Sequence, residues 1–457
     1  MMSKVTMDKI VNLCKNRGII FQGSEIYGGM GNTWDYGPVG VEIKNNIKRA
    51  WWKRFVQEDP STYGVDAAIL MNPRVWDASG HTQNFADPKM DCKSCKQRFR
   101  ADNLIEDHSK GTVSAEAMTN EEMESYINEH QVKCPHCGNF SWTPIRQFKL
   151  MFETSRGTLD GEKDVVYLRP ETCQGEYVNF LNIQRSMRAK VPFAIAQIGK
   201  SFRNEITPGN FIFRTIEFEQ MELQKFCRDT ESMNIYEDYK EKAKQFLLDL
   251  GFSADNLKFH DHDKLAFYAK AACDIFYNFP MGWSELNGIH HRSTHDLSRH
   301  QEFSGKSMQY LDPITNEKYI PTVIEYSIGA DRLMLAVLSE AYNEEELEGG
   351  DSRVVLKLHP AIAPYKVAIL PLQKNINEKA IELYNQLSKK FMCMYDEAGS
   401  IGKRYRRQDE IGVPFSVTID FDTLEDNTVT IRDRDTMEQI RIPLTDVEKY
   451  IEERIQF

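Results

Sequence analysis

The amino-acid sequence predicts an α+β fold, in which helices flank an antiparallel sheet and a separate α/β unit follows. Three observations support this prediction. Residues 202–222 form two strand-like runs joined by a turn, residues 39–57 repeat apolar side chains every four positions, and strands alternate with helices after residue 358. We therefore expect one domain over residues 1–358, with an insertion at 88–145, and a second domain over 359–457.

Composition and charge narrow the classes of protein. The chain has 457 residues, of which 41% are hydrophobic and 27% charged, and this suffices for two or three packed domains. There is no run of eighteen apolar residues, so we expect no membrane span and a cytoplasmic location. The net charge of −11 disfavours a generally basic surface. Nucleic acid would therefore be bound only by local basic patches.

The first predicted element is a helix followed by a strand. In VGVEIKNNIKRAWWKRFVQ, residues 39–57, an apolar stripe recurs every four residues at Ile43, Ile47, Trp51 and Phe55. The stretch VDAAILMNP, residues 65–73, then predicts a strand that ends at its proline. Ordinary core packing explains this stripe equally well. The stripe is therefore informative about function only because it precedes the elements described below.

Two cysteine pairs predict a closed structural zinc site in the insertion. Cys92 with Cys95 and Cys134 with Cys137 each have the CxxC spacing of a zinc knuckle. The 38 residues between the pairs exceed the roughly fifteen to twenty that are usual, so an excursion from a zinc ribbon is expected. His136 fits a knuckle residue better than a ligand. Disulfides are disfavoured because no signal peptide precedes the chain and the other cysteines are scattered.

The hairpin FRNEITPGNFIFRTIEFEQME, residues 202–222, groups charged side chains with an aromatic ring. Strand alternation places Arg203 beside Glu205, and Arg214, Phe218 and Glu222 on one face of the second run. Arginine suits phosphate oxygens and an aromatic face suits a purine, so this face predicts a floor for a nucleoside triphosphate. A solvated sheet face remains the alternative, because any one-sided antiparallel sheet alternates polar residues.

A strand that runs into a helix follows in TVIEYSIGADRLMLAVL, residues 322–338. Glu325 and Ser327 share one strand face, Gly329 stands at the turn, and Arg332 falls in the first helical turn. A helix N-terminus attracts anions and disfavours an arginine there. An anionic ligand at this position resolves that conflict.

These three pieces, in this order over residues 39–332, resemble motifs 1, 2 and 3 of the class II aminoacyl-tRNA synthetases, in which motif 1 builds a dimer interface. Further segments are similar to the glycine-specific family of the dimeric, single-chain type. They are IYGGMGNTWDYGPVG, WDASGHTQNFADP, FRAD, YLRPETCQG and ELNGIHHRSTHDL. The chain departs from that family where Cys173 replaces an alanine and Tyr326 replaces a proline, and we expect both to be local packing variants.

The resemblance implies how ATP would be bound for glycine activation. Because negative charge accumulates around phosphorus in the transition state, arginines must converge there. We expect Arg203 at the α-phosphate, Arg214 and Arg332 at the terminal phosphates, Glu205 at the adenine amino group and Phe218 stacked on the ring. Glu285 resembles the family's Mg²⁺-binding acid. The remaining residues expected in the ATP site are Asn204, Phe213, Leu286 and Gly329.

The resemblance also implies an acidic glycine pocket, which would exclude larger amino acids by leaving no room for a β-carbon. Its expected members are Glu171, Glu222, Glu325 and Ser327, with Arg100 and Arg292 as partners for negative groups. A salt bridge from Glu171 to Arg169 is the alternative role for that acid. Glu219 falls on the opposite strand face from Glu222 and is therefore not assigned to the pocket.

The segment from His359 onward resembles the α/β anticodon-binding domain of the glycine, threonine, proline and histidine enzymes. The runs VAILPL and MCMYDE predict strands with a helix between them, and VPFSVTIDF, NTVTIRDRD and QIRI predict a further strand and a hairpin. One short helix, SIGKRYRRQDEIG, gathers Lys403, Arg404, Arg406 and Arg407. We expect this cluster to contact tRNA, although a solvated helix face is the alternative.

The function implied is a homodimeric enzyme that activates glycine with ATP and transfers it to glycine tRNA, with Mg²⁺ and a structural Zn²⁺. Three alternatives remain open. They are a class II synthetase for another amino acid, an inactive relative that serves as a dimeric nucleic-acid-binding module, and an enzyme that loads a carrier other than tRNA. The complete set of ATP residues argues against the second, and the C-terminal domain argues against the third.

Overall fold

The structure is a computed structural model that describes residues 5–113, 115, 118–157, 164–204, 209–262, 265, 268–347 and 349–457. The α-helices of these residues are α1 (Met7–Asn16), α2 (Pro38–Trp52), α3 (Arg74–Ala78), α4 (His81–Asn84), α5 (Ala101–Ser109), α6 (Asn120–Glu129), α7 (Cys173–Val178), α8 (Phe180–Ser186), α9 (Asp229–Asp249), α10 (His295–Ser304), α11 (Ala330–Ala341), α12 (Asn377–Leu387), α13 (Ile401–Glu410), α14 (Phe421–Asp426) and α15 (Val447–Glu452). None of the described helices is long and apolar enough to cross a membrane.

The strands are β1 (Ile20–Gln22), β2 (Trp34–Tyr36), β3 (Thr62–Gly64), β4 (Ala86–Asp91), β5 (Arg98–Arg100), β6 (Arg146–Lys149), β7 (Phe152–Arg156), β8 (Asp164–Leu168), β9 (Phe193–Phe202), β10 (Glu217–Cys227), β11 (Leu257–Asp261), β12 (Ala271–Phe279), β13 (Gly282–Ser293), β14 (Tyr310–Leu311), β15 (Lys318–Tyr319), β16 (Thr322–Gly329), β17 (Tyr342–Glu346), β18 (Ser352–Leu356), β19 (Val367–Pro371), β20 (Cys393–Tyr395), β21 (Phe415–Ile419), β22 (Thr428–Asp433) and β23 (Gln439–Pro443). They confirm an α+β fold.

A seven-stranded sheet forms the centre of the larger unit, in the order β11-β12-β13-β16-β10-β9-β3. All neighbours pair antiparallel except β3, which joins the edge of β9 in parallel. One sheet face packs against α2, α9 and α11 around the largest hydrophobic core. The other face is polar and is the subject of the next subsection.

The predicted stripe on the first long helix is confirmed. Ile43, Ile47, Trp51 and Phe55 are all buried, and the last of these lies in a π-helical turn that extends α2. Tyr326 of β16 packs against the rings of Trp51 and Phe55, with centroids 6.3 and 4.7 Å away. The unusual tyrosine is therefore a core residue, as expected from its packing role.

The strand predicted for residues 65–73 is not present, and this prediction is wrong. Contact with neighbouring strands is limited to two points, where the Val65 N–H donates to the Ala196 carbonyl and Leu70 forms an isolated bridge with Leu168. Between them, Arg169 donates to the Ala67 carbonyl at 2.8 Å, and the Gln197 side chain accepts from the Ala67 N–H at 3.4 Å. The regular strand is the preceding β3. Apolar composition alone could not show that side chains would take these hydrogen bonds.

The insertion has its own small sheet, β5-β4-β6, and its own hydrophobic core. Helices α5 and α6 pack together over this sheet around buried Leu104, Ile105 and Ile127. A capping box between Thr119 and Glu122 begins α6. The acidic run predicted between the cysteine pairs thus contains helix, although its residues 114, 116 and 117 lie outside the described part.

The C-terminal unit has a five-stranded sheet in the order β20-β19-β21-β22-β23. Strand β19 pairs in parallel with β20 and β21, while β22 and β23 form the predicted hairpin. A separate core fills one side of this sheet. The boundary after residue 358 stays a prediction, because the main core continues across it to Ile362 and Val413.

Candidate active site

The polar face of the central sheet is built from alternate residues of three neighbouring strands. Across β10, β16 and β13 the pairing register places Glu222, Ser327 and Gly288 in one row and Gln224, Glu325 and His290 in the next. The residues between them in sequence, such as Leu223 and Ile289, point into the hydrophobic core. Strand alternation therefore separates a charged surface from the core.

A cavity of about 400 Å³ lies over this face. Its walls bring together residues from the hairpin, from the strand and helix around Gly329, and from distant segments. The residues expected from the sequence that line it are Glu171, Arg203, Phe213, Arg214, Phe218, Glu222, Glu285, Leu286, Arg292, Glu325, Ser327, Gly329 and Arg332. Positions separated by more than 150 residues in sequence thus meet at one site.

One end of the cavity is acidic and contains Glu222, which is only 3% exposed. Ser327 Oγ donates to Glu222 Oε1 at 2.8 Å, Gln220 Nε2 donates to the same oxygen at 2.9 Å, and the Thr172 hydroxyl donates to Oε2. Burial, together with the carboxylates of Glu325 and Glu171, raises the pKa of Glu222 to about 7. This carboxylate consequently titrates near neutral pH.

The second carboxylate, Glu325, has the opposite electrostatic character. It lies 2.9 Å from His290 Nδ1, accepts from Arg292 Nη1 at 3.3 Å and accepts from Gln224 Nε2 at 3.0 Å. Burial alone would raise the pKa of Glu325, but Arg292 and His290 outweigh it and lower the pKa to about 2. Glu325 therefore keeps its negative charge across the physiological range.

Glu171 is the third carboxylate of the acidic end. Its Oε2 lies 3.4 Å from His81 Nε2, and its Oε1 accepts from Gln174 Nε2 at 3.0 Å and from Cys173 Sγ at 3.1 Å. Burial opposes ionisation, yet His81 and then Arg292 hold the pKa of Glu171 well below its usual value. Cys173 is thus a hydrogen-bond donor to this acid and more than a packing variant.

The other end of the cavity is basic and aromatic. The Arg203 guanidinium lies 5.4 Å from the centroid of the Phe218 ring, and Arg332 lies 4.4 Å from that of Phe213. Burial and the neighbouring cations lower the pKa of Arg332, against the opposing charge of Glu285 at 3.1 Å. Arg214 is exposed at the rim. Excess positive charge at this end favours an anionic ligand.

Asp331 fixes the start of α11, and with it Arg332. Its Oδ1 forms a buried ion pair with Lys44 of α2 at 2.7 Å and accepts from the Tyr36 hydroxyl, and its Oδ2 accepts from the Glu219 N–H at 2.7 Å. One carboxylate therefore joins α2, β10 and α11. This function was missed from the sequence, where only the adjacent arginine was singled out.

Other residues of the site were also missed. Thr172, Gln220 and His290 contact its carboxylates, and His81 contacts Glu171. Thr172, His81 and His290 lie in segments already recognised by their resemblance, so they could have been selected. The sequence indicated Gln220 more weakly, through its position two residues before Glu222, which places both side chains on the same face of the strand.

Three expected site residues are not placed in the cavity walls. Arg100 lies in the insertion, where it pairs with Asp87 at 3.0 Å and with Asp102. Asn204 donates its backbone N–H to the Leu150 carbonyl and does not line the cavity. Glu205 lies outside the described residues. The alternative of a Glu171 pair with Arg169 is not seen, because Arg169 donates to backbone carbonyls.

The preference for Glu222 over Glu219 agrees with the structure. Glu219 faces the opposite side of β10, where its carboxylate pairs with Lys44 at 2.9 Å and Lys48 at 3.0 Å. Burial raises the pKa of Glu219, but the two lysines outweigh it, and the result is a lowered pKa. This acid thus stabilises the packing of α2 and takes no part in the cavity.

The four cysteines of the insertion converge as predicted. Sγ of Cys92 lies 3.6 Å from that of Cys137, and Sγ of Cys95 lies 3.7 Å from that of Cys134. A tetrahedral ion with metal to sulfur distances of about 2.3 Å requires sulfur separations of about 3.8 Å. The cluster therefore has the dimensions of a four-thiolate metal site, and His136 is not part of it.

The C-terminal basic helix has fewer available cations than its sequence suggests. Arg404 is buried and donates to the carbonyls of Pro371, Asp396 and Leu372. Arg407 pairs with Asp396 at 2.6 Å, and Lys403 is exposed. Arg404 is therefore not available on the surface of this helix, because its charge is enclosed by backbone oxygens, and contact of the cluster with tRNA stays a prediction.

Comparisons with known protein families agree with this arrangement. Residues 148–341 match the model of the tRNA synthetase class II core domain (G, H, P, S and T), and residues 366–454 match the anticodon binding domain. The first range includes the hairpin, the β16–α11 junction and most of the cavity walls. Fold, site and matches together define a class II aminoacyl-tRNA synthetase.

Full-length relatives identify the member of that class. The glycine–tRNA ligase of Caldanaerobacter subterraneus subsp. tengcongensis is 60% identical over 459 residues, which cover 99% of both chains. Those of Clostridium beijerinckii and Clostridium acetobutylicum are 59% and 57% identical, with 99% and 100% of both chains covered. This chain belongs to the glycine–tRNA ligase family, which confirms the resemblance found in the sequence.

Proposed function

We propose that the cavity binds ATP and glycine side by side, joins them as glycyl-adenylate, and then passes glycine to the 3′ end of glycine tRNA. The observation that carries this proposal is the polarity of one cavity, with buried carboxylates at one end and arginines with aromatic rings at the other. An amino acid presents an ammonium group, and ATP presents phosphates and a purine. Each end is complementary to one of these substrates.

At the basic end, Arg203 would contact the α-phosphate while Arg214 and Arg332 hold the terminal phosphates. Activation forms a bond from the glycine carboxylate oxygen to the α-phosphorus and breaks the bond to pyrophosphate. Negative charge grows on the phosphate oxygens during this step, and fixed guanidinium groups stabilise it. Since Arg203 covers one face of Phe218, adenine would stack on the other face.

Glu285 would contribute the carboxylate that holds Mg²⁺. Its side chain is half exposed at the basic end, 3.1 Å from Arg332. Mg²⁺ prefers few carboxylates and completes its shell with water and phosphate oxygens, so a single acid beside the phosphate site fits. When bound, the ion would neutralise charge on the terminal phosphates. The arginines orient the same phosphates from the protein side.

At the acidic end, Glu325 and Glu171 would bind the glycine ammonium group, together with Glu222 when it is ionised. Thr172, Gln220 and Ser327 hold the Glu222 carboxylate in place. A pocket fixed by this many hydrogen bonds cannot widen without breaking them. A β-carbon on the substrate would therefore be rejected by steric overlap, and selection would require no editing step.

We further propose that the four cysteines bind one structural Zn²⁺, that the C-terminal unit recognises glycine tRNA, and that the chain acts as a cytoplasmic homodimer. The sulfur separations support the zinc site, and the anticodon binding domain match supports tRNA recognition. The dimer and the location rest on the family resemblance. Metal analysis of protein purified without added zinc is expected to give about one equivalent per chain, and sedimentation is expected to give a dimer.

A non-hydrolysable adenylate analogue tests the cavity directly. We expect a glycyl sulfamoyl-adenosine to bind far more tightly than its alanyl counterpart, by at least on the order of 100-fold, because the methyl group overlaps fixed carboxylates. Glu325→Gln should weaken glycyl-analogue binding, whereas Glu219→Gln, on the other face of the sheet, should retain the preference. Equal affinity of the wild-type protein for both analogues would contradict the proposed pocket.

A further inference from the structure

Three side chains capable of binding a metal ion converge on the outer strands of the central sheet. His262 follows β11, Asp274 lies on β12 and His290 on β13. Asp274 Oδ2 is 2.8 Å from His262 Nε2, and its Oδ1 is 3.6 Å from His290 Nε2. All three ligand atoms lie within 4.8 Å of one another. One carboxylate thus stands between two imidazole nitrogens of the same type.

The ring of His290 is oriented from its other side by a carboxylate. Its Nδ1 lies 2.9 Å from Glu325 Oε1. An ion that displaces the Nε2 proton of His290 would meet a lone pair directed toward Asp274 and His262, while the Nδ1 proton is still donated to Glu325. Contact between a carboxylate and the second nitrogen is how proteins commonly orient a metal-binding histidine and increase its basicity.

Gly288 provides the space that this cluster occupies. It pairs with Asp274 across β12 and β13, and a β-carbon at this position would lie 2.8 and 2.9 Å from Cε1 and Nε2 of His290. The same carbon would lie 3.3 Å from Asp274 Oδ1. The side chains of Asp274 and His290 therefore meet above Gly288, because glycine has no side chain and leaves room for them.

Two imidazoles and one carboxylate match the preferences of Zn²⁺ and similar divalent ions rather than those of Mg²⁺. Three protein ligands leave further positions of the ion open to water. His262 is 36% exposed, which gives an ion access from solvent, while Asp274 is only 10% exposed. We propose that His262, Asp274 and His290 form a second site for a divalent transition-metal ion, separate from the cysteine cluster.

An ion at this site would act on the amino-acid end of the cavity. His290 lines the cavity, and its ring connects the proposed ion to Glu325, which already contacts Arg292 at 3.3 Å. Added positive charge beside Glu325 weakens its attraction for an ammonium group. Occupancy should therefore raise KM for glycine, on the order of tenfold. This part of the inference rests on the proposed function.

Calorimetric titration of Zn²⁺ into the full chain, purified with its cysteine-bound metal, tests the site. We expect the wild-type protein to bind one more equivalent than His262→Gln under the same conditions. His260→Gln is the matched control, because His260 is exposed on β11 with its ring 6.2 Å from that of His262 but does not belong to the cluster. Equal stoichiometry in the wild-type protein and His262→Gln would overturn the metal site.

Glycine-dependent exchange of pyrophosphate into ATP, at low and micromolar free Zn²⁺, tests the coupling. KM for glycine should rise with Zn²⁺ in the wild-type protein and in His260→Gln, but not in His262→Gln. The same rise in all three proteins would overturn the coupling while leaving the binding result intact. Absence of glycine-dependent exchange at any Zn²⁺ concentration would instead refute the proposed function, so the two failures are distinguishable.

Discussion

Two arginine-rich regions of this protein look alike in sequence and differ in structure. In the cavity, Arg203 donates to a single backbone carbonyl, that of Pro170, and Arg332 pairs with the half-exposed Glu285. In helix α13, Arg404 donates to three carbonyls and Arg407 pairs with Asp396. The difference shows that clustering of basic residues does not identify a binding site by itself.

The partners of each arginine explain the difference. Backbone carbonyls around α13 accept from the Nη groups of Arg404 and connect the ends of β19 and β20 to the helix. Arg203 and Arg332 lie beside aromatic rings, which accept a cation but leave most of their guanidinium N–H groups available. We therefore expect substitutions in the cavity to change activity and substitutions in α13 to change stability.

The largest effect is expected for Arg203→Ala. Loss of this guanidinium removes stabilisation of charge on the α-phosphate, so glycine-dependent exchange of pyrophosphate should fall on the order of 10³-fold. Melting temperature and tRNA binding should remain close to wild type. Arg156→Ala, on the exposed β7 hairpin, is the control and should retain full exchange. Unchanged exchange by Arg203→Ala would contradict the expectation that the cavity arginines are required for activity.

The expectation that the arginines of α13 stabilise the fold is tested by Arg404→Ala. Three carbonyls lose a buried charged donor, so the free energy of unfolding should fall by about 3 kcal/mol. Arg406→Ala, on the same helix, loses only a pair with the 72% exposed Asp351, and its unfolding free energy should change by less than about 0.5 kcal/mol. Chemical denaturation measures both changes. Equal effects of the two substitutions would show that burial does not distinguish them.

A smaller effect is expected from pH at the acidic end of the cavity. Glu222 has a raised pKa of about 7, so it gains a proton as the pH falls below that value, and its attraction for the glycine ammonium group is lost. KM for glycine should therefore rise as the pH falls from 8 to 6, by about tenfold over the whole interval. Glu325, with its pKa lowered to about 2, stays ionised throughout.

Comparison with two variants sharpens this test. Glu222→Gln should remove most of the pH dependence of KM for glycine over this interval, because the neutral amide does not titrate. Glu219→Gln, on the opposite face of β10, should keep the wild-type profile, provided that its fold is intact. A profile in Glu222→Gln identical to that of the wild-type protein would assign the titration to another group.

Local periodicity explains which site residues could be predicted from the sequence. Alternation along β10 and β16 was sufficient to place Phe218, Glu222, Glu325 and Ser327 on one face, and all four line the cavity. The position of Arg332 followed from its place in the first turn of α11. These assignments depend only on neighbours in sequence, so no knowledge of the tertiary structure was needed.

The contacts that the sequence did not reveal join distant segments. Arg100 lies outside the cavity walls, and its expected contact with a ligand stays a prediction. The strand predicted at residues 65–73 does not form, because strand contacts are limited to Val65 and Leu70 and the side chains of Arg169 and Gln197 bind Ala67. His290 was overlooked because its contacts with Asp274 and Glu325 depend on the register of three strands. None of these partners is evident from local pattern.

Exchange of pyrophosphate into ATP, measured with each of the twenty amino acids and no tRNA, tests the central claim most directly. The arginines at one end of the cavity and the fixed carboxylates at the other predict exchange with glycine alone. Exchange with alanine or serine at comparable efficiency would contradict the glycine pocket, and no exchange with any amino acid would contradict the assignment of the cavity as an adenylation site.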